Sequence, residues 1–189
     1  MSKIVYMGVD VGKKGFITAF YEGSYFFYPM PTRREPTGKK LKSGKESTKE
    51  VFCEFGFADL LETLKNDFKD CKFLVGIEKV NGRTGWSAQN TFSFGYVAGM
   101  TKAIFIILGA KIFMIEPKKW QALIRKGHDL VKIKKGSRFV TDNKATAEAI
   151  VRKDYPEIDF RKNSRCRGFD DNKVDSFLIC KYIILTYGK

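Results

Sequence analysis

The sequence contains little of the chemistry on which many enzymes depend. It has one histidine, His128, so a histidine-based acid–base pair or catalytic triad would rest on that single side chain. Its cysteines are scattered and form no C-x-x-C pair, which argues against a structural zinc site. We expect them to be free thiols in a reducing compartment. They are Cys53, Cys71, Cys166 and Cys180.

Long hydrophobic runs are also missing. The most apolar run, Ala103–Leu108, is far shorter than the ~20 residues that a membrane-spanning helix needs. Too few apolar residues lie between Lys3 and Asp10 for a signal peptide. We therefore expect no membrane association and a cytoplasmic location.

Positive charge is what the chain has in excess. Its 189 residues include 35 Lys and Arg against 21 Asp and Glu, a formal net charge of +14. Such a charge attracts polyanions, nucleic acid before an anionic membrane surface. Because 43% of the residues are hydrophobic, a sizeable core can form. The length fits one domain over residues 1–189.

The apolar pattern predicts an α/β protein. Short β-branched or apolar runs, separated by turn residues, predict five strands; apolar residues at helical spacing predict five helices. We therefore expect a mixed five-stranded sheet flanked by helices. The predicted strands are 3–9, 16–21, 25–30, 73–77 and 111–115, and the predicted helices are 50–67, 88–108, a short one from Pro117, 142–153 and 170–187.

Residues 33–49 have a different composition from the segments around them. They show no apolar period and carry seven basic residues against two acidic ones. We predict a basic flexible loop, which is either a solvated surface segment or an arm that becomes ordered on DNA. Its candidate DNA-binding residues are Lys39, Lys40, Lys42 and Lys45.

Acidic residues follow two predicted strands and begin the last helix. Asp10 ends the first strand between Gly8 and Gly12, which we interpret as room for a phosphate or metal to approach the backbone. Glu78 ends the fourth strand. The last helix begins with Asp170 and Asp171 and carries Asp175 one turn later. If the two strands are neighbours, these carboxylates meet at one edge of the sheet.

Crowded carboxylates repel one another, and a pair of divalent cations removes that cost. Oxygen ligands favour Mg²⁺ or Mn²⁺. Two such ions ~3.5–4 Å apart would activate a water, orient a phosphodiester and stabilise the leaving oxygen. Taken singly, each acid also has an ordinary explanation: Asp10 as a turn residue, Glu78 as a surface charge, and Asp170 with Asp171 as a helix cap.

Several motifs, in this order along the chain, resemble those of RuvC-family Holliday junction resolvases, and most closely their phage and poxvirus-like branch. The resemblance covers nearly the whole chain. It implies an RNase H-like fold, a homodimer and paired symmetric nicking of four-way DNA junctions in a bacterial, phage-infected or virus-infected cell. The motifs are GVDVG at 8–12, IEKV at 77–80, TFSFG at 91–95, Pro117 with Trp120-Gln121, Lys144, and DNKVDS at 171–176.

The resemblance also implies roles for single residues. Asp10 and Glu78 match the two strand carboxylates of the family, Asp175 matches its helix ligand, and Asp171 would be the partner of Asp175. Lys144 matches a lysine placed near the active site. The implied cofactor is Mg²⁺ or Mn²⁺, two ions per active site.

The chain departs from the family pattern in two places. Many relatives have the second helix carboxylate at the position of Asn172, so Asp170, Asp171 or Asn172 would complete the pair, and we expect Asp171 because it is a carboxylate. Bacterial members have an aromatic wedge where this chain has Asn81, so Trp86 or Phe92 would distort the junction instead. Core packing is the alternative for both rings, and it is the role we expect for Phe92.

A basic stretch surrounds Trp120. We interpret it as a groove that follows DNA phosphates; the alternative is a solvated face. Its candidate DNA-binding residues are Lys118, Lys119, Arg125, Lys126, Lys134 and Lys135.

Three other functions compete with junction cleavage. The GVDVG segment resembles the phosphate loop of actin-like ATPases, but those folds need two duplicated halves. A related RNase H-like nuclease would act on flaps, other branched DNA or RNA–DNA hybrids. A non-catalytic architectural DNA-binding protein would be basic too, although acids in a DNA-binding cleft weaken affinity unless they hold metal.

Overall fold

The computed structural model describes residues 3–79 and 85–188, which contain strands and helices in the following order along the chain. The strands are β1 (Ile4–Val9), β2 (Phe16–Tyr21), β3 (Ser24–Pro29), β4 (Thr32–Lys40), β5 (Glu46–Phe52), β6 (Lys72–Glu78), β7 (Lys111–Ile115), β8 (Lys132–Lys135) and β9 (Arg138–Thr141). The helices are α1 (Glu54–Asp67), α2 (Ala88–Ile107), α3 (Pro117–Ile124), α4 (Asn143–Asp154) and α5 (Asp171–Tyr187).

The main sheet confirms the five predicted strands. Its spatial order is β3-β2-β1-β6-β7. The first three strands form an antiparallel meander, while β1, β6 and β7 are parallel. The strand that ends at Asp10 and the strand that ends at Glu78 are therefore direct neighbours, which is the condition for their carboxylates to meet.

Side chains alternate along the strands and pack into two cores, one on each face of the main sheet, so the molecule has three layers: helices, sheet and helices. In β1, Val5, Met7 and Val9 are buried in the core that contains residues of α1 and α2. The intervening Tyr6 packs against the second core, which contains residues of α3, α4 and α5. Because successive side chains point to opposite faces of a strand, Gly8 also lies on the α5 face.

Gly8 allows α5 to lie against the sheet. A Cβ atom at this position would overlap the backbone of Ser176 and Cys180. Beside it, the hydroxyls of Thr18 and Ser176 form a buried hydrogen bond of 2.8 Å between β2 and α5. The glycine before Asp10 therefore serves helix packing, and our interpretation that it admits a phosphate or metal is wrong. A Cβ at Gly12 would meet nothing within 4 Å.

The predicted basic loop at 33–49 is wrong. These residues belong to β4 and β5, which form an antiparallel hairpin, here called the first hairpin, with Thr32 opposite Phe52. Most of its side chains are exposed, so the strands have none of the apolar alternation that signals a half-buried strand. Because β5 extends to Phe52, α1 begins at Glu54 instead of at the predicted residue 50.

A second hairpin lies within the basic stretch after Trp120. Strands β8 and β9 pair antiparallel around Gly136 and Ser137, and we call this element the second hairpin. Gly136 has a φ of +60°, the left-handed conformation that the first position of a tight hairpin turn requires. A Gly-Ser pair between two short runs is the sequence signal that would have predicted this hairpin.

Two expectations from composition concern thiols and membranes. All four cysteines are free thiols, as expected. Of the helices in the described part of the chain, none is both long enough and apolar enough to cross a bilayer.

Candidate active site

The register of β1 and β6 places Asp10 beside Glu78. Val9 is opposite Ile77, so the next residues along these parallel strands are Asp10 and Glu78. Asp10 follows Gly8 by two residues, and Glu78 follows Gly76, the partner of Gly8, by two residues. Side chains two residues apart on a strand point to the same face, so both carboxylates belong to the face that α5 covers. Glu78 is in addition paired with Ile115 of β7, which makes β6 the central strand of the three. The sheet thus presents two half-buried carboxylates at one edge.

Helix α5 brings further acidic residues to the same edge. Asp170 is its N-cap, where a carboxylate oxygen accepts from the backbone N–H of Asn172 at 3.0 Å and of Lys173 at 3.4 Å. Asp175 directly precedes Ser176, the residue whose backbone packs on Gly8. The close packing of α5 on β1 therefore brings Asp175 near the end of that strand.

Electrostatic coupling shows that these carboxylates form one cluster. Burial raises the pKa of Asp10 well above its ordinary value, and the negative charges of Asp175, Glu78 and Asp170 raise it further. Burial, followed by the charges of Glu78 and Asp171, raises the pKa of Asp175 to about 7. Asp10 and Asp175 would each be easier to ionise alone, so added positive charge would favour their ionised forms.

Two basic side chains partly supply that charge. The Lys144 ammonium, in the first turn of α4, donates to a carboxylate oxygen of Asp171 at 2.5 Å. This hydrogen bond, together with the charges of Asp171, Asp175 and Asp10, raises the pKa of Lys144 against a smaller effect of burial. Arg125 is half-buried and lowers the pKa of Asp175. Its guanidinium also donates to the side chain of Asn143 at 3.1 Å.

Trp120 is a site residue that we did not predict as one from the sequence. Its side chain is 3% exposed, and its indole N–H donates to a carboxylate oxygen of Glu78 at 2.9 Å. A buried tryptophan needs a partner for this N–H, and Trp120 lies one turn into a helix that follows the strand paired with β6. No signal in the sequence indicated which acid this N–H would meet, because Trp120 and Glu78 are 42 residues apart.

The donor chemistry of the cluster fits hard divalent cations, since it consists of carboxylate oxygens whose mutual repulsion an added cation would relieve. Within residues 3–79 and 85–188, however, no three Asp, Glu, Cys or His side chains are already arranged around a shared ion position. Asp171 is held by Lys144, whereas Glu78 accepts from Trp120 with one oxygen, Oε1. The carboxylates fit the cation chemically, and Asp171 would have to turn from Lys144 to bind it.

The predicted DNA-binding lysines lie on exposed elements. Lys39 and Lys40 lie at the end of β4, and Lys42 and Lys45 lie in the turn of the first hairpin. In the basic stretch, the exposed residues are Lys118 and Lys119 of α3, Lys126, and Lys134 and Lys135 of β8. Of these candidates, Arg125 is the one whose charge lowers the pKa of a cluster carboxyl, that of Asp175.

Trp86 and Phe92 are the two aromatic residues that we considered for distorting a junction, and Phe92 does not lie where we expected it. The Trp86 ring is 37% exposed and meets Phe94 edge to face, with 5.2 Å between ring centroids. Phe92, which we expected in the core, is 77% exposed on α2, so that expectation is wrong. Its helix position faces away from both hydrophobic cores. Asn81 lies outside the described residues.

A basic loop before α5 is a second feature that we did not predict from the sequence. Lys162, Arg165 and Arg167 are exposed and lead directly to Asp170. Arg161 instead pairs with Asp159 at 2.9 Å and lowers the pKa of that carboxyl to about 2. The signal was plain in the sequence, since four of the seven residues from 161 to 167 are basic.

A mixed five-stranded sheet in the order β3-β2-β1-β6-β7, between helical layers, is the RNase H-like arrangement. Among solved structures, one with this arrangement is similar over nearly its whole length: Thermus thermophilus RuvC in complex with a Holliday junction substrate. Its TM-score is 0.50 and its sequence identity is 11%, with 97% of this chain and 96% of that chain covered. The expected α/β RNase H-like fold is confirmed, and it is the fold of RuvC.

Two further solved structures have lower scores. They are Thermus thermophilus RuvC (13% identity, TM-score 0.47, 96% of this chain and 95% of that one) and the yeast mitochondrial Holliday junction resolvase Ydc2 (15% identity, TM-score 0.47, 96% and 77%). No protein-family model matches this chain, and no curated protein matches its sequence.

Proposed function

We propose that the protein is a metal-dependent endonuclease that cuts branched DNA, chiefly four-way junctions, by paired symmetric nicking. The observation that carries this proposal is the coupled carboxylate cluster at the ends of β1 and β6 of a RuvC fold. Its members influence one another's ionisation, as the raised pKa values of Asp10 and Asp175 indicate. Perturbed carboxyls of this kind are concentrated at functional sites.

Asp10, Glu78, Asp171 and Asp175 are the proposed ligands of two Mg²⁺ or Mn²⁺ ions. When bound, such ions activate a water and stabilise the leaving oxygen of a phosphodiester. The four side chains provide four negative charges against the four positive charges of two ions. Burial of Asp10 and Asp175 keeps bulk water from screening that attraction. Trp120 fixes one oxygen of Glu78 and leaves the other free to bind.

Lys144 has two roles in this proposal. Without DNA it neutralises Asp171, as the hydrogen bond at 2.5 Å indicates. When a scissile phosphate enters, the flexible ammonium is free to turn toward it, which releases the Asp171 carboxylate for a cation. A lysine is suited to this exchange because its charge is compact and its stem rotates freely.

Asp171 is a better second helix ligand than Asn172. The negative charge of Asp171 acts on Asp175, whose pKa it raises. The Asn172 amide nitrogen instead donates to the Asp170 carboxylate at 3.2 Å. The Asn172 side chain is therefore already engaged in the cap of α5, and as a neutral amide it would bring no charge to the ions.

The DNA partner follows from charge and from the solved relative. A net charge of +14, with exposed cations on both hairpins and on the loop before α5, suits phosphate binding. Branched DNA is proposed because the Thermus thermophilus RuvC structure contains a Holliday junction substrate. Paired nicking of a symmetric junction would use a homodimer with one active site in each subunit.

A nicking assay tests the proposal. The purified protein is incubated with an immobile four-way junction, a flap, a linear duplex and an RNA–DNA hybrid, each with Mg²⁺, Mn²⁺ or EDTA. We expect paired nicks in the junction with either metal and none in EDTA. Preferred cleavage of the flap or the hybrid would indicate a different RNase H-like nuclease. Tight binding without any cleavage would indicate an architectural protein.

A further inference from the structure

The second hairpin carries an exposed aromatic ring among cations. Seven of the eight residues in β8 and β9 are exposed. The Phe139 side chain is 71% exposed. A single exposed phenylalanine is ordinary in a folded protein, so this ring is of interest because of the cations that share its face.

The register of the hairpin groups this ring with two lysines. Phe139 is directly opposite Lys134, and Thr141 is opposite Lys132. Because side chains alternate along each strand, Lys132, Lys134 and Phe139 share one face of the hairpin. An aromatic ring beside ammonium groups is the combination with which proteins bind unpaired nucleotides: bases stack on the ring while cations bind the phosphates.

Hydrogen bonds connect the base of the hairpin to the active site. The Asp142 N–H donates to the Val131 carbonyl at 2.8 Å, and the Val131 N–H donates to the hydroxyl of the buried Thr146 at 3.1 Å. Asp142 in turn caps α4 by accepting from the backbone N–H of Lys144 and Ala145. Lys144 is the residue that binds Asp171, so the hairpin ends close to the carboxylate cluster.

The length of β9 sets how far Phe139 lies from Asp142, the N-cap of α4. Phe139 precedes Asp142 by three residues, which is about 10 Å at the rise of a β-strand. A DNA strand advances about 3.4 Å per nucleotide along the helix axis, so this span corresponds to about three nucleotides. The ring is therefore within reach of bases that flank a phosphate bound near Lys144.

We propose that Phe139 stacks on the exposed face of a base next to the branch point of the DNA, while Lys132 and Lys134 bind phosphates of the same strand. The inference rests on the proposed function, because it takes branched DNA as the substrate. In a linear duplex every base is paired and stacked, so the ring finds no exposed face. At a branch point the bases unstack at low cost, so the contact favours branched DNA over duplex.

Binding to DNA labelled with 2-aminopurine tests the inference. The base analogue is placed beside the branch point of a four-way junction, in a linear duplex and in a single-stranded oligonucleotide. Affinity and fluorescence are measured in EDTA, where no cleavage occurs. The variants are Phe139→Ala, Phe139→Tyr, and Phe55→Ala as a matched control, since Phe55 is a similarly exposed phenylalanine on α1, 80% exposed.

We expect Phe139→Ala to bind the junction and the single strand about tenfold more weakly and to lose the fluorescence change of the analogue. Affinity for the duplex and its salt dependence should not change. Phe139→Tyr should retain wild-type behaviour because it keeps a ring, and Phe55→Ala should behave as wild type on every DNA.

Three results would overturn the inference: unchanged junction affinity in Phe139→Ala, an equal loss on the duplex, or a changed oligomeric state that accounts for the loss. Failure of the proposed function looks different. In that case the wild-type protein itself would show no preference for the junction over the duplex. The single-stranded oligonucleotide would then test the stacking contact by itself, which holds for unpaired bases if Phe139→Ala abolishes the fluorescence change and is absent if it does not.

Discussion

The carboxylate cluster and the two hairpins are built in opposite ways. In the cluster, half-buried carboxylates interact with specific neighbours. Glu78 accepts a hydrogen bond from Trp120 and Asp171 accepts one from Lys144, while the charge of Asp175 raises the pKa of Asp10. In the hairpins, lysines point separately into water. Interacting groups respond to mutation non-additively, whereas separated surface charges contribute nearly independently. We therefore expect large, coupled losses from changes in the cluster and small, additive losses from changes in the hairpins.

The largest effect should come from the two strand carboxylates. Asp10→Asn or Glu78→Gln removes a proposed metal ligand and should reduce junction cleavage at least about a thousandfold. Junction affinity should stay the same or increase, because a negative charge leaves the DNA-binding surface. Nicking and binding are measured on the same junction. Near-normal nicking in Mg²⁺ by either variant would show that the site is assigned incorrectly.

The second largest effect should distinguish the two helix candidates. Asp171→Asn removes one of four negative charges that balance two divalent cations, so we expect about a hundredfold loss, partly restored by high Mn²⁺. Asn172→Ala should be mild, since the backbone N–H groups of α5 remain capped by Asp170. A metal titration of both variants on one junction provides the measurement. The reverse ranking would transfer the ligand role to Asn172.

Trp120→Phe should have an intermediate effect. The change keeps the ring in the core but removes the N–H that orients Glu78, so we expect about a tenfold loss of cleavage and a higher Mg²⁺ requirement. Removing this hydrogen bond to a charged group should also cost about 1.5–3 kcal/mol of folding stability.

Tyr28→Phe is the matched control for Trp120→Phe. It removes a hydroxyl that donates to the Asp67 carboxylate at 2.7 Å, away from the cluster. It should lower stability without changing the Mg²⁺ requirement. If both variants had the same Mg²⁺ requirement as wild type, Trp120 would be a packing residue only.

The raised pKa of about 7 at Asp175 predicts how stability depends on pH in the absence of metal. A carboxyl whose pKa is higher in the folded state binds protons more tightly there, so stability falls as pH rises from about 4 to about 7. In EDTA, the melting temperature should therefore fall between pH 5.5 and 7.5, by a few degrees more in wild type than in Asp175→Asn. Mg²⁺ should reverse the fall at pH 7.5. Parallel pH profiles of the two proteins would contradict the prediction.

The smallest effects should come from the first hairpin. Replacing Lys39, Lys40, Lys42 and Lys45 with alanine should flatten the plot of log affinity against log salt by about 0.9 for each phosphate that these lysines neutralise in the wild-type protein. With six neutralised phosphates, the slope for the wild-type protein would be about −5. Alanine at two exposed lysines elsewhere, Lys69 in the turn after α1 and Lys102 on α2, serves as the control. An unchanged slope would mean that the first hairpin does not touch DNA.

The sequence predicted the main sheet better than the hairpins, for a physical reason. Strands such as β6 and β7 are apolar runs bounded by polar or turn residues, and burial makes that pattern visible. The first hairpin has polar residues on both faces, so it looks like a loop in the sequence. Its strands are defined by backbone pairing and by contacts such as that between Thr32 and Glu50, at 2.9 Å.

The sequence by itself determined which acidic residues end strands or begin a helix, because local apolar runs and turn residues define those ends. Only the tertiary structure decided which residues lie beside these acids. The parallel pairing of β1 with β6 brought Asp10 beside Glu78, and the close packing of α5 on Gly8 brought Asp175 to them. Tertiary packing also formed the hydrogen bonds of Trp120 with Glu78 and of Lys144 with Asp171. The partners are 42 and 27 residues apart, so no local sequence pattern encodes these contacts.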